Sequence, residues 1–300
     1  KGFVLNRFRG DASLLAPGPQ QLQALTGVPT VAVLPMWRGH GLPEEDGLDG
    51  GDWGQTVADP AIASEQAIRV AVVAYPRISN LDEYQSLRHL PSVHLTWARH
   101  PKDLLDVDWV ILPGSKHTQS DLQWLRRQGL DVAITAHANA GRAVLGICGG
   151  LQMLGRTLSD PHGVDGGALH MPRLNLLPVT TEFDRHKLVQ PTTMRFEAHL
   201  PPAWRVWQNQ TCSGYEIHQG QTHAIDPDWQ GVALRGADGR ALGWQQGSVM
   251  GLYAHGLFES SPLIRALFGP GCPTWDQVFD GLADFIDRHF EPGVLKQWTT

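Results

Sequence analysis

Cysteine, net positive charge and long apolar runs are all scarce in this chain. Three cysteines among 300 residues make neither an even disulfide framework nor a metal-ligand spacing, which points to a reducing compartment and an expected cytoplasmic location. A net charge of −6 provides no basic field for a nucleic-acid backbone or an anionic membrane, so neither partner is expected. No apolar stretch approaches the roughly 20 residues that span a bilayer, and the opening Lys1-Gly2-Phe3-Val4-Leu5-Asn6 has no signal-peptide pattern. The phosphate-loop pattern G-x-x-x-x-G-K-[ST] is also missing, so these residues alone are not expected to build an ATP site. The 14 histidines are scattered, and no metal centre is expected from them.

What is present is regular. Gly2 to Asn6 reads as a strand, Pro19 to Thr26 as a helix and Pro29 to Leu34 as a second strand. This β-α-β fragment is too small for an ordinary domain. Because the chain opens without Met and directly in a strand, it is expected to be a piece of a longer protein. Gly, Pro and Asp dominate Gly39 to Pro60, the expected linker. From Val70 the pattern alternates: strand Val70 to Tyr75, helix Asp82 to Leu90, strands Val93 to Trp97 and Trp109 to Leu112, helices Asp121 to Gln128 and Val132 to Ala140, strand Ala143 to Ile147. Such alternation predicts a parallel, doubly wound α/β sheet. After Leu154 the character turns to β, with strands predicted at Leu176 to Phe183, Met194 to His199, Tyr215 to His218, Val232 to Arg235 and Val249 to Tyr253. Amphipathic helices close the chain at Pro262 to Phe268 and Trp275 to Phe290.

Chemistry concentrates at Gly146-Ile147-Cys148-Gly149-Gly150, between an apolar strand and a helix. This is the G-x-nucleophile-x-G form of a nucleophile elbow, a sharp turn that exposes its central side chain and needs small neighbours where backbones crowd. A helix starting after Cys148 would set its positive end near the sulfur and favour the thiolate, so Cys148 is the candidate nucleophile. Cys212 and Cys272 lack that context and read as inert thiols.

A thiolate attacking an amide needs oxyanion donors and a proton carrier. Pro113-Gly114-Ser115-Lys116 follows a strand and faces the sheet edge that carries the elbow, so amides around Gly114 and Ser115, with that of Gly149, are candidate oxyanion donors. Two histidines compete for the proton-carrying role. His255 ends the apolar run Met250 to Ala254, and His218 shares a strand face with Glu216 as a polar pair suited to substrate binding. Spacing alone leaves both open.

Pro113-Gly114-Ser115-Lys116, Gly146-Ile147-Cys148-Gly149-Gly150, Gly214-Tyr215-Glu216-Ile217-His218 and Tyr253-Ala254-His255-Gly256-Leu257-Phe258, with Asn6-Arg7-Phe8-Arg9-Gly10-Asp11 and Pro76-Arg77-Ile78-Ser79-Asn80, closely resemble the cobyric acid synthase family, in the cobalamin-pathway branch of the class I, triad-type glutamine amidotransferases. The resemblance covers nearly the whole chain. It implies a flavodoxin-like doubly wound sheet with a mixed β extension at 67–300, preceded at 1–66 by the end of a P-loop-type, dethiobiotin synthetase-like ATP-binding domain plus linker. It also implies Cys148 as nucleophile, His255 as catalytic histidine, and active-site support from Glu216 and His218. Familiar triad members carry a glutamate two residues after the histidine, whereas this chain has Leu257. The partner of His255 is then open between Glu216 and Glu197. The implied activity is glutamine hydrolysis through a Cys thioester, with ammonia used in the ATP- and Mg²⁺-dependent amidation of adenosylcobyrinic acid a,c-diamide. No covalently bound cofactor is expected, and L-glutamine and a corrinoid are the expected substrates. Glu44-Glu45-Asp46 would help hold magnesium in the whole enzyme or form a solvated turn. The rival readings are a cobyrinic acid a,c-diamide synthase, the amidotransferase partner of a cell-wall amidating ligase, and a non-catalytic ligand-binding relative. The Asn6 to Asp11 segment argues against the first two.

Overall fold

The computed structural model describes residues 1–37, 67–88, 90, 92–166, 172–269 and 275–299. The expected linker, the Glu44 to Asp46 cluster and Cys272 lie outside the described residues.

The chain divides into two compact units, Lys1–Leu42 with Pro273–Thr300, and Pro43–Cys272. In the first, strands β1 (Phe3–Phe8) and β2 (Thr30–Pro35) pair in parallel, joined by helix α1 (Gly18–Thr26). Helices α7 (Trp275–His289) and α8 (Val294–Thr299) belong to this unit. Phe285 stacks on Trp37 with ring centroids 4.7 Å apart, Ala32 bridges to Phe290, and the Glu291 amide donates to the Val31 carbonyl at 2.8 Å. The sequence reading assigned 67–300 to one domain; the structure moves the last helices to the N-terminal unit. An amphipathic helix shows in its sequence that it needs an apolar partner, but not which sheet provides it.

The second unit is built on a mixed sheet. Its parallel part has β3 (Ile68–Val73), β5 (Val93–Ala98), β6 (Trp109–Leu112), β8 (Ala143–Ile147) and β14 (Val249–Leu252), in the spatial order β5-β3-β6-β8-β14. Beyond β14 it continues antiparallel through β13 (Ala241–Gln246), β12 (Val232–Gly236), β10 (Val179–Phe196), β11 (Thr211–Ala224) and β15 (Ala254–His255), while β9 (Thr157–Ser159) pairs with β10. This is the predicted α/β class.

Side chains of the parallel strands alternate between two cores. Val70, Val72, Ile111 and Leu145 pack with Leu87, Leu263 and Ile264 on one face, the side of α2 (Gln85–Arg88) and α6 (Ser261–Phe268). Ala71, Val73, Val110 and Val144 pack on the other with Leu122, Leu125, Leu130 and Ile134, from α3 (Thr118–Arg127) and α4 (Leu130–Asn139). Strands covered on both faces explain the unbroken apolar runs of the sequence. Each buried leucine- or isoleucine-sized side chain contributes about 1.5–3 kcal/mol.

Three local features differ from expectation. The predicted helix Asp82 to Leu90 opens as a 3-10 turn, Leu81–Tyr84, and is α-helical among the described residues at Gln85–Arg88. The segments predicted as separate strands near 176–183 and 194–199 belong to one long strand, β10, with a bulge between Phe183 and Leu188. Finally, β4 (Ile78–Ser79) and β7 (Gly114–Ser115) form a small antiparallel pair of their own.

Candidate active site

The elbow follows from crowding at the end of β8. Cys148 adopts φ 51° and ψ −105°, outside the ordinary regions for a residue with a side chain, at a cost of about 1–3 kcal/mol. The turn is held by the Cys148 amide donating to the Leu252 carbonyl at 2.8 Å, and by the Gln152 amide donating to the Cys148 carbonyl at 3.1 Å. Helix α5 (Gly149–Leu154) starts at once. A Cβ on Gly150 would overlap the Leu112 carbonyl, and one on Gly149 would stand 2.8 Å from the Ser115 amide nitrogen. Both positions are closed to a side chain.

That closeness sets the Gly149 and Ser115 backbones side by side at the strand end that carries Cys148. The Ser115 hydroxyl donates to Asp121 Oδ2 at 2.6 Å and accepts from the His117 amide at 3.0 Å, which fixes the turn after β7. Burial pushes the Asp121 carboxyl up, against the opposing pull of the Ser115 hydrogen bond.

His255 is 1% exposed and sits on β15. Its Nδ1 lies 3.0 Å from Glu83 Oε2, while Glu83 Oε1 accepts the Gly256 and Leu257 amides at 3.0 and 3.2 Å. The carboxylate partner is therefore Glu83, not Glu216 or Glu197. Glu197 pairs with Arg235 at 2.7 Å, and Glu216 is occupied by other groups. Glu83 escaped the sequence reading because 172 residues separate it from His255, and because an acid on a predicted helix looks like a solvated one. One signal was available: Glu83 lies three residues beyond the Pro76 to Asn80 stretch. Where familiar triad members carry an acid, Leu257 gives only its backbone, to an acid from a different element.

The second imidazole nitrogen, Nε2, makes no hydrogen bond with any protein group among the described residues. Burial alone would lower the His255 pKa, but the nearby Cys148 sulfur and the Glu83 carboxylate outweigh it and push the value up to about 10. The sulfur is also 3.4 Å from the Ile217 carbonyl, an acceptor for the thiol proton. Thus Cys148 and His255 can exchange a proton, with Glu83 fixing the imidazole tautomer.

The other candidates lie along β11. Glu216 is fully buried, at 3.2 Å from His218 Nε2, 3.0 Å from Gln190 and 3.2 Å from Arg240. His218 Nδ1 is 2.8 Å from the Gly220 carbonyl, and its ring stacks on Tyr253 at 3.8 Å. Both His218 nitrogens are therefore engaged with protein groups. Cys212 is buried, and burial pushes its thiol up to about 12, in keeping with an inert role. Among the described residues no group of three or more His, Cys, Asp or Glu side chains could hold a metal ion, and no helix is long and apolar enough to cross a membrane.

Residues 69–263 match the family described as the CobB/CobQ-like glutamine amidotransferase domain. The chain belongs to this family. Among relatives of this amidotransferase, it is 60% identical to a cobyric acid synthase of Leptothrix cholodnii, covering 98% of this chain and 58% of that protein. It is 59% identical to a cobyric acid synthase of Methylibium petroleiphilum, with the same 98% and 58% coverage. The chain thus spans well under two thirds of the length of these curated relatives. Among solved structures, PurLQS from Thermotoga maritima superposes with a TM-score of 0.50 at 19% identity, over 73% of this chain and 99% of the other. That likeness shows a shared fold.

Proposed function

We infer that this chain is the glutamine-hydrolysing part of a cobyric acid synthase. The observation that carries the reading is His255, held through Nδ1 by buried Glu83 with Nε2 left for the sulfur of Cys148 on its strained elbow. The Cys148 thiolate attacks the side-chain carboxamide carbon of L-glutamine, forming a C–S bond. The resulting oxyanion is received by backbone amides near Gly149 and Ser115. As the C–N bond breaks, the imidazolium gives its Nε2 proton to the leaving nitrogen, and ammonia departs. His255 next accepts a proton from water as its oxygen bonds to the thioester carbon, the C–S bond breaks, glutamate leaves, and the thiolate–imidazolium pair is restored.

The ammonia would amidate peripheral carboxylates of adenosylcobyrinic acid a,c-diamide in adenosylcobalamin biosynthesis, driven by ATP with Mg²⁺. The residues present do not fit an ATP site, since no phosphate loop occurs in the sequence. That step is assigned to the part of the relatives that this chain does not span, and a soluble cytoplasmic setting suits it. A non-catalytic relative is disfavoured by Glu83, which fills the place of the acid absent at residue 257.

The test is glutamate release by the full-length protein, compared with Cys148→Ala. Glutamine-driven turnover is expected to fall by about 10³-fold or more while ammonia-driven synthesis survives. Equal loss of both, in a folded variant, would contradict the assignment.

A further inference from the structure

Glu83 holds one imidazole nitrogen, but one hydrogen bond does not set the plane of the ring, which can still tilt about that axis. The same short segment provides a second hold. Asn80 opens the 3-10 turn with φ 55°, and its carbonyl accepts the Glu83 amide at 3.2 Å. Its side-chain Nδ2 donates to the Tyr215 hydroxyl at 2.9 Å. The Tyr215 ring lies over the His255 ring, with centroids 5.4 Å apart and planes 16° from parallel, and the two residues are register partners between β11 and β15. Just before Asn80, Ser79 pairs with Gly114, where an added Cβ would come within 3.1 Å of His255 Cε1. One six-residue stretch, Ile78 to Glu83, thereby holds one nitrogen of the imidazole directly and is linked, through Gly114 and Tyr215, to an edge and a face of the same ring.

We propose that Tyr215, anchored by Asn80, is a positioning residue that sets the plane of the His255 imidazole, so that Nε2 points at the Cys148 sulfur, and that stabilises its protonated form. This rests on the glutaminase reading above. The physical basis is that an electron-rich phenol face attracts a cation, and that a misdirected proton donor loses rate without losing substrate affinity. The titratable groups facing the imidazole are Glu83 from the 3-10 turn, Cys148 from the elbow and Tyr215 from β11, with Tyr84 next to Glu83.

The experiment uses the full-length protein with Tyr215→Leu, Tyr215→Phe, Asn80→Ala and the Tyr215→Phe/Asn80→Ala pair. Three quantities are measured: kcat and KM for glutamine hydrolysis, ammonia-driven synthesis, and the pH profile of Cys148 alkylation by iodoacetamide. Tyr215→Leu is expected to lower kcat about 10–100-fold with KM within about threefold, to spare ammonia-driven synthesis, and to move the alkaline limb of the alkylation profile to lower pH. Tyr215→Phe keeps the ring but loses the anchor, and should match Asn80→Ala at about 3–10-fold, the double variant being no worse than either. An unchanged alkylation profile and kcat in Tyr215→Leu, or simple additivity in the double variant, would overturn the proposal. Alkylation reads the Cys148–His255 pair without glutamine, so failure of the glutaminase reading would appear separately, as wild-type protein that releases no glutamate.

Discussion

Two buried glutamates each meet a histidine in this protein, at nearly the same distance, 3.0 Å for Glu83 with His255 and 3.2 Å for Glu216 with His218. Their surroundings differ. Arg240 reaches Glu216 with a permanent charge, and despite burial that would raise it, hydrogen bonds from His218 and Gln190 with the Arg240 charge hold the carboxyl down at about 2. Glu83 receives two backbone amides and His255. The further contrast is on the imidazoles: His218 spends its second nitrogen on the Gly220 carbonyl, whereas His255 Nε2 has no partner within the protein among the described residues. A carboxylate–histidine pair is thus a clasp or a proton carrier according to what stands at the other nitrogen.

Substitution at Glu83 should sharpen this contrast most. Glu83→Gln keeps the shape but removes the charge, and glutamine-dependent kcat is expected to fall by about 10²–10⁴-fold with ammonia-driven synthesis retained. The His255 value is raised, so its contribution to stability is complete below about pH 6.5 and is lost as pH rises through about 10. In Glu83→Gln, the dependence of stability and of Cys148 alkylation in that alkaline window should shrink and move to lower pH without vanishing, because the Cys148 sulfur also raises the His255 value, measured by urea unfolding and alkylation rate across pH.

Glu216→Gln should act on stability instead. Removing the charge leaves Arg240 and His218 facing a neutral amide, and a loss of about 2–4 kcal/mol is expected in urea unfolding, with kcat within about tenfold of wild type. The sign with pH is opposite. A carboxyl held at about 2 rather than an ordinary 4.5 stabilises the fold above about pH 4.5, and that contribution disappears as pH falls through about 2. The variant should lose this acid-side slope. The smallest effect belongs to His218→Asn, about 1–2 kcal/mol of stability with little change in kcat; a kcat loss as large as that of Glu83→Gln would reverse the two assignments.

Features carried by neighbouring residues were legible in the sequence, and features carried by distant ones were not. The elbow at Cys148 needs only its own glycines and flanking strand, and the buried parallel strands need only apolar runs, so both were readable. His255 could be singled out by its place at a strand end; spacing left it level with His218, and the family resemblance preferred it, while the unpartnered Nε2 supplies a physical reason for that preference. Glu83 could not be found by spacing, because its chemistry depends on a residue 172 positions away. The long β10 was hidden for another reason: exposed Asp184, Arg185, His186 and Lys187 look like a turn, yet they lie in a bulge opposite β11. Nothing local in Trp275–His289 tells which apolar surface the helix will cover.

The most direct test of the central assignment is mass spectrometry of the protein after exposure to an electrophilic analogue of glutamine, in wild type and in Glu83→Gln. The expected result is one label, on the peptide containing Cys148, formed about 100-fold more slowly in the variant. Labelling spread equally over Cys148 and Cys212, or equal rates in the two proteins, would contradict a nucleophile governed by His255 and Glu83.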